Sequence, residues 1–134
     1  MIVTIDLNVV LDLILLRGDH ESCQELLSRC KDHTITGFLP PHAIPTIYYI
    51  LRKNIGHEKA IDAIGKLLDA VEIAHLSKGV FRNAIALHFS DFEDAVVAAA
   101  AESVGSDFIV TSNRKDFHKS LIPAISPSDI LRKL

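Results

Sequence analysis

The sequence predicts an α/β fold, a three-layer α/β/α sandwich with a short, mostly parallel central sheet. Two observations predict it. Short β-branched segments such as residues 2–5 (IVTI) alternate with longer segments of helical periodicity, and strands separated by helices are typical of a parallel sheet covered on both faces. Hydrophobic residues also make up 49% of the 134 residues, which is ample material for one core. We therefore expect a single domain over residues 1–134.

The first half of the chain contains two predicted strands and four predicted helices. The strands are rich in β-branched residues, and the helices carry apolar residues at helical spacing. Pro45 is compatible with the third helix only in its first turn, where no helical N–H bond is lost. The predicted strands are residues 2–5 and 33–38, and the predicted helices are residues 7–16, 20–31, 42–54 and 57–70.

The second half contains three predicted strands and three predicted helices. Ser90 followed by Glu93 predicts a capping box at the start of one helix, and Ser126 is the expected N-cap of the last helix. The predicted strands are residues 71–76 and 107–112, with residues 124–126 as a candidate edge strand, and the predicted helices are residues 78–89, 90–105 and 127–134.

Composition excludes several classes of protein. No apolar run reaches the length of about 18 residues that a membrane-spanning helix needs, and the N-terminal stretch lacks the basic region of a signal peptide. We therefore expect a cytoplasmic protein without a membrane segment. Cys23 and Cys30 lie two turns apart on one predicted helix, a rise of about 10 Å that is too long for a disulfide. No Cys/His spacing of the zinc-binding kind is present.

The net charge of −3 and the pI near 6.1 argue against binding of nucleic acid by bulk electrostatics, so such a role requires a local basic patch. The candidate basic residues are Arg52, Lys53, Arg82, Arg114, Lys115, Lys119, Arg132 and Lys133.

Asp6 directly follows the first predicted strand. In parallel sheets, sites form outside the carboxyl ends of the strands, so this carboxylate is a candidate metal ligand or nucleophile. It also precedes a helix and could accept hydrogen bonds there as an N-cap. The local sequence leaves both interpretations open. Asp12, further along the same helix, is expected to be a surface residue.

Asp94 lies in the segment SDFEDAVVAAAA. The capping box explains Ser90 and Glu93, and Asp91 adds a favourable charge in the first turn. Asp94 is left over, and it shares the inward helix face with small residues such as Ala98. A carboxylate on that face predicts a metal ligand.

The segment IVTSNRKDF follows the fourth predicted strand. Thr111, Ser112 and Asn113 supply oxygen atoms at the carboxyl end of this strand, and Asp116 follows. Three aspartates at one sheet edge repel one another unless a cation lies between them, and oxygen ligands suit Mg²⁺ or Mn²⁺. Because such ions hold phosphate and activate water, and because Arg114 and Lys115 could contact phosphate, the predicted chemistry is cleavage of a phosphodiester.

In the blocks IDLNVVLDLIL, DFEDAVVAAAA and IVTSNRKDF, in this order and spacing, the chain resembles the PIN-domain family, particularly its VapC-like toxin nucleases. The resemblance implies an α/β/α sandwich, a bound Mg²⁺ or Mn²⁺, endoribonuclease activity on RNA, restraint by a cognate antitoxin protein, and frequent homodimers. The family acids fall on Asp6, Asp94 and Asp116. Asn8 stands in its usual neighbouring place, and Asn113 replaces an acid after the fourth strand.

One position departs from the family pattern. The family usually has a glutamate early in the helix that here reads PHAIPTIYYIL, and the matching position is Thr46. A hydroxyl cannot supply the charge of a carboxylate, so the resemblance leaves two functions open. One is a metal-dependent endoribonuclease with Asp6, Asp94, Asp116 and Asn113 at the metal. Thr46, Thr111 and Ser112 would support these ligands.

The alternative is a catalytically degenerate PIN domain that binds RNA or a protein partner without cleaving. A third hypothesis, a phosphotransfer domain with Asp6 as nucleophile, is disfavoured because phosphatases of that kind need Asp-x-Asp where this chain has Asp6-Leu7-Asn8.

Overall fold

The computed structural model describes all 134 residues and contains five strands and seven α-helices. The strands are β1 (Ile2–Ile5), β2 (Thr36–Leu39), β3 (Glu72–Ile73), β4 (Phe108–Val110) and β5 (Ala124–Ile125). The helices are α1 (Leu7–Ile14), α2 (His20–Lys31), α3 (Ala43–Ile55), α4 (His57–Ala70), α5 (Lys78–Ala86), α6 (Phe92–Ser103) and α7 (Pro127–Leu131), and a 3₁₀ turn spans Arg114–Phe117.

The five strands form one sheet in the order β3-β2-β1-β4-β5, and every neighbouring pair is parallel. The predicted α/β fold with a parallel sheet is therefore confirmed. Strand β1 is central, with Thr4 opposite Phe38 of β2 and Ile109 of β4. Because this register aligns the carboxyl ends of β1 and β4, the residues that follow the two strands are neighbours.

The core divides between two groups of helices. The largest cluster of buried apolar side chains joins α1, α2, α3, α4 and α7 to β1 and β2, and two smaller clusters join α6 to α5 and to β4. Helix α6 is buried at every position from Ala95 to Ala101. Since five of these seven residues are alanine, the helix can lie close to its neighbours and brings Asp94, at its first turn, to the edge of the sheet.

Several predicted boundaries are confirmed and several are wrong. Pro45 lies in the first turn of α3, and Ser126 caps α7 by accepting from the N–H of Asp129 at 3.1 Å. The predicted capping box at Ser90 is wrong, because the N-cap of α6 is Asp91, whose Oδ1 accepts from the N–H of Asp94 at 3.1 Å.

Several elements are shorter than predicted, namely α1, α5, α6, α7, β3, β4 and β5, and β2 spans Thr36–Leu39 instead of residues 33–38. The shortening is explained most clearly at α1 and β3. Helix α1 ends at Ile14, and Leu16 then has a φ of 54°, in the left-handed region that helices of L-residues avoid. Strand β3 has two residues because it pairs only with β2 at the edge of the sheet. Cys23 and Cys30 are buried free thiols, as expected. None of the helices has the length and apolar run needed to cross a lipid bilayer.

Candidate active site

Asp6 lies at the carboxyl end of β1, with only 4% of its surface exposed. It occupies the N-cap position of α1, but its side chain makes no capping hydrogen bond, so the capping interpretation of this carboxylate is wrong. Its Oδ2 instead accepts from the hydroxyl of Thr111 at 2.9 Å. Burial raises the pKa of Asp6 above its ordinary value, and hydrogen bonding, chiefly from Thr111, offsets part of the rise.

Thr111 and Asn113 connect Asp6 to Asp116. The backbone N–H of Asn113 donates to the Thr111 hydroxyl at 3.0 Å, and the side-chain amide of Asn113 donates to Asp116 Oδ2 at 2.9 Å. One short segment after β4 therefore orients two carboxylates through three successive hydrogen bonds. Thr111 is fully buried, which fixes its hydroxyl in the interior.

Five carboxylates meet in one pocket of about 310 Å³, which we call the acidic pocket. Five of the lining residues are candidate site residues from the sequence, namely Asp6, Asn8, Thr46, Asp94 and Asp116. Two more, Asp91 and Glu93, were assigned by the sequence to the start of a helix. The lining residues are Asp6, Leu7, Asn8, Thr46, Asp91, Glu93, Asp94 and Asp116.

Asp94 lies in an environment that disfavours its charged form. Partial burial, followed by the charges of Asp91, Asp116, Asp6 and Glu93, raises the pKa of Asp94 to about 7. A carboxyl group with this pKa is partly protonated at neutral pH. No salt bridge joins Asp6, Asp94 or Asp116 to a basic side chain, so the protein itself leaves the negative charge uncompensated.

Ser112 and Arg114 face away from the acidic pocket. The Ser112 hydroxyl donates to Asp12 Oδ2 at 2.9 Å, and Arg17 lies 3.3 Å from the other oxygen of Asp12. Asp12 therefore ties the end of α1 to the segment after β4 and is not the free surface residue that the sequence suggested. Arg114 is 3.7 Å from Asp129 and lines a separate shallow cavity with Ser112 and Asn113.

Thr46 lines the acidic pocket without contacting a carboxylate. Its hydroxyl donates to the backbone carbonyl of His42 at 3.1 Å, one turn earlier in the chain. The His42 ring lies beside Glu93, with Nε2 at 3.9 Å from Oε1, and both of its buried nitrogens lack a hydrogen-bond partner. At this distance the two atoms are too far apart for a hydrogen bond.

The donor set of the acidic pocket fits a hard divalent cation in its chemistry. Carboxylate, amide and hydroxyl oxygens are the ligands that such cations prefer, and a cation would offset the desolvation and the repulsion that raise the pKa of Asp94. No three His, Cys, Asp or Glu side chains converge closely enough here to coordinate one ion, so binding requires side-chain rotations at the exposed members of the pocket.

A second cavity of about 210 Å³ adjoins the acidic pocket and shares Asp91, Asp94 and Asp116 with it. We call it the basic cleft because Lys115, His118 and Lys119 also line it. The sequence identifies Lys115 and Lys119 as candidate basic residues. It assigns Ser90 only to a capping box, and it gives no reason to expect His118 at the site. The full lining is Phe89, Ser90, Asp91, Asp94, Lys115, Asp116, His118 and Lys119.

Comparison with known proteins finds one family. A family model described as PIN domain matches residues 2–115. No curated protein sequence matches the chain.

Solved structures share the fold at low sequence identity. The VapBC2 complex of Rickettsia felis, bound to a DNA fragment from its promoter, aligns with a TM-score of 0.76 at 18% identity over 94% of this chain and 98% of that chain. VapBC-1 of nontypeable Haemophilus influenzae aligns with a TM-score of 0.73 at 14% identity, over 96% and 99% of the two chains. VapC20 of Mycobacterium tuberculosis, described as a toxin that cleaves the sarcin-ricin loop, aligns with a TM-score of 0.63 at 15% identity, over 80% of this chain and 86% of that chain.

Proposed function

The chain belongs to the PIN-domain family, and on this premise we propose that it is a metal-dependent endoribonuclease of the VapC-like type. It hydrolyses phosphodiester bonds of RNA with an Mg²⁺ or Mn²⁺ ion. The observation that carries the proposal is the acidic pocket, in which five carboxylates meet around the buried Asp6. Burying a charge without a partner is costly, so a site of this composition points to a cationic ligand.

Asp6, Asp94 and Asp116 would hold the ion, and Asn113, which does not line the acidic pocket, would act through its hydrogen bond to Asp116. When bound, the ion neutralises charge on the phosphate and lowers the pKa of water. The protein's own residues hold the acids in place: Thr111 donates to Asp6 and Asn113 to Asp116.

The remaining site residues support the acids or attract the substrate. Asn8 and Thr46 line the acidic pocket beside the aspartates. Lys115 lines the basic cleft at the mouth of the acidic pocket and attracts the RNA phosphate. Arg114 lines the separate cavity beside Ser112 and lies 3.7 Å from Asp129, so it would attract RNA only as a positive charge at longer range.

The toxin assignment and the partners rest on the structural neighbours. Two of these structures are VapBC proteins and a third is a toxin that cleaves the sarcin-ricin loop, and this likeness supports RNA as substrate and an antitoxin as partner of this chain. A homodimer is also part of the proposal. It is supported by the exposed aromatic ring of Tyr49 on α3, 61% accessible, beside apolar residues of the same helix.

Cleavage of RNA tests the proposed function. Wild type and Asp6→Asn are incubated with a panel of structured RNAs in Mg²⁺, in Mn²⁺ and in EDTA, and the products are separated by gel electrophoresis. We expect discrete products from wild type with either metal and none from Asp6→Asn or in EDTA. Identical products from both proteins would exclude the proposed site.

The second candidate function is a PIN domain that binds RNA or a protein partner without cleaving. Thr46 favours it, because its hydroxyl is committed to the His42 carbonyl and leaves that wall of the pocket without a carboxylate. Calorimetric titration with Mn²⁺ discriminates the two functions. Heat of binding that is lost in Asp6→Asn supports the nuclease, whereas no binding at millimolar Mn²⁺ supports the second function.

A further inference from the structure

We propose that the basic cleft is a binding subsite for the RNA phosphate next to the one that is cleaved, with Lys119 as its principal ligand. The inference rests on the proposed function, since it assumes that an RNA strand lies across the acidic pocket. The two cavities share three aspartates. An RNA strand with one phosphate at the acidic pocket would therefore extend directly into the basic cleft.

Lys119 is held in the cleft from across the fold. Its Nζ donates to the backbone carbonyl of His88 at 2.9 Å, and 31 residues separate the two. His88 has a φ of 57°, a left-handed conformation that L-residues rarely adopt and that turns the chain after α5. One of the three ammonium donors is used by this carbonyl, which leaves two for a ligand.

Positive charge in the cleft is available for an anion. Neither Lys115 nor Lys119 forms a salt bridge, although three aspartates line the same cavity. With a divalent cation at the shared aspartates, as the proposed function requires, the two ammonium groups would be left to attract an anion. The phosphodiester of a nucleic acid is the anion that accompanies the proposed reaction.

The walls of the cleft fit a sugar–phosphate unit. His118 Nδ1 donates to the carbonyl of Lys115 at 2.9 Å, which fixes the turn that carries both lysines. Phe89 packs edge-on against the buried Phe117, with 6.5 Å between ring centroids, and provides the apolar surface of the cavity. The Ser90 hydroxyl, which does not cap α6, adds a hydrogen-bond donor for a phosphate oxygen.

Binding of RNA to cleavage-deficient protein tests the subsite. Fluorescence anisotropy measures the affinity of Asp6→Asn for a short unstructured single-stranded RNA in Mg²⁺ at several salt concentrations. Adding Lys119→Ala should weaken binding about threefold to tenfold, as expected for one exposed charged contact. It should also reduce the slope of log affinity against log salt by about 0.7, the value for one phosphate of a single strand.

Lys59→Ala is the matched control, because Lys59 is an exposed lysine on α4 without a salt bridge. It should change neither the affinity nor the slope. The subsite is overturned if Lys119→Ala behaves like Lys59→Ala, or if Asp6→Asn binds no RNA. Cleavage by wild type, measured in parallel, separates the two proposals. If RNA binding depends on Lys119 but wild type does not cleave RNA, only the nuclease proposal is refuted. If wild type cleaves RNA but Lys119→Ala leaves the binding affinity unchanged, only the subsite is refuted.

Discussion

A single buried hydroxyl, that of Thr111, organises two sides of the acidic pocket. It donates to Asp6 and accepts from the N–H of Asn113, whose side chain in turn donates to Asp116. Partners that orient ligands in this way often matter for metal affinity nearly as much as the ligands themselves. We therefore propose Thr111 as a positioning residue.

Thr111→Val should lower nuclease activity about tenfold to a hundredfold and the free energy of unfolding by about 1 kcal/mol. The cause is that Asp6 and the N–H of Asn113 lose their partner inside the protein. RNA cleavage and urea denaturation measure the two effects.

Thr4→Val is the matched control, since Thr4 is a fully buried threonine of the same sheet whose hydroxyl pairs with Ser106 at 2.7 Å, away from the acids. It should lower stability similarly and leave activity unchanged. Equal activities of the two variants would show that Thr111 has only a structural role.

The raised pKa of Asp94 makes the metal-free protein less stable as pH rises. The pKa is about 7 in the folded protein against an ordinary 3.8, so the folded state binds the proton more tightly than the unfolded state. The stabilising contribution of this group is complete below about pH 4 and is lost as pH rises through about 7.

Urea denaturation in EDTA across this pH range tests the effect. The free energy of unfolding of wild type should fall with pH relative to that of Asp94→Asn, in which position 94 cannot ionise. Parallel pH profiles for the two proteins would contradict the raised pKa.

Among the elements, α6 is the one whose composition is most restricted by its place in the fold. Ala98 is fully buried, and its small side chain allows the close packing that brings Asp94 to the sheet edge. Ala98→Leu should lower the free energy of unfolding by about 1–3 kcal/mol through overpacking, measured by urea denaturation. Ala86→Leu, the same change at an exposed position of α5, should stay within about 0.5 kcal/mol of wild type.

The elements were largely predictable because each leaves a local periodic pattern. Helix α4 and strand β1 have clear apolar patterns in short windows. The N-cap of α6 was misassigned because Ser90 and Asp91 are both good caps, and the local pattern does not choose between adjacent positions. Strand β3 was overestimated because its length depends on pairing with β2, which no local pattern reports.

At the scale of the whole molecule, the rule that sites lie at the carboxyl edge of a parallel sheet predicted that Asp6 and the segment of Asp116 would be neighbours. Asp94 was singled out by a separate argument, its place on the inward face of α6. Such rules do not predict hydrogen bonds between residues that are far apart in the sequence. The hydrogen bond from Ser112 to Asp12 spans 100 residues, and the anchoring of Lys119 by His88 spans 31. Both depend on the exact approach of two segments rather than on the order of the elements.

The homodimer is tested by changing the exposed face of α3. Sedimentation equilibrium should report a dimer for wild type and a monomer for Tyr49→Glu, because a charge at a ring that is 61% exposed in the single chain would be buried at the interface. Thermal unfolding serves as the control for folding of the variant. A monomeric wild type would contradict the dimer.

We propose, above all, that the carboxylates of the acidic pocket bind a divalent cation. A ¹³C NMR titration of the aspartate carboxyl groups, with and without Mg²⁺, tests it most directly. We expect the pKa of Asp94 to lie near 7 in the metal-free protein and to fall when Mg²⁺ is added, since the bound cation stabilises the ionised form. The same titration curve in the presence and absence of Mg²⁺ would contradict the claim.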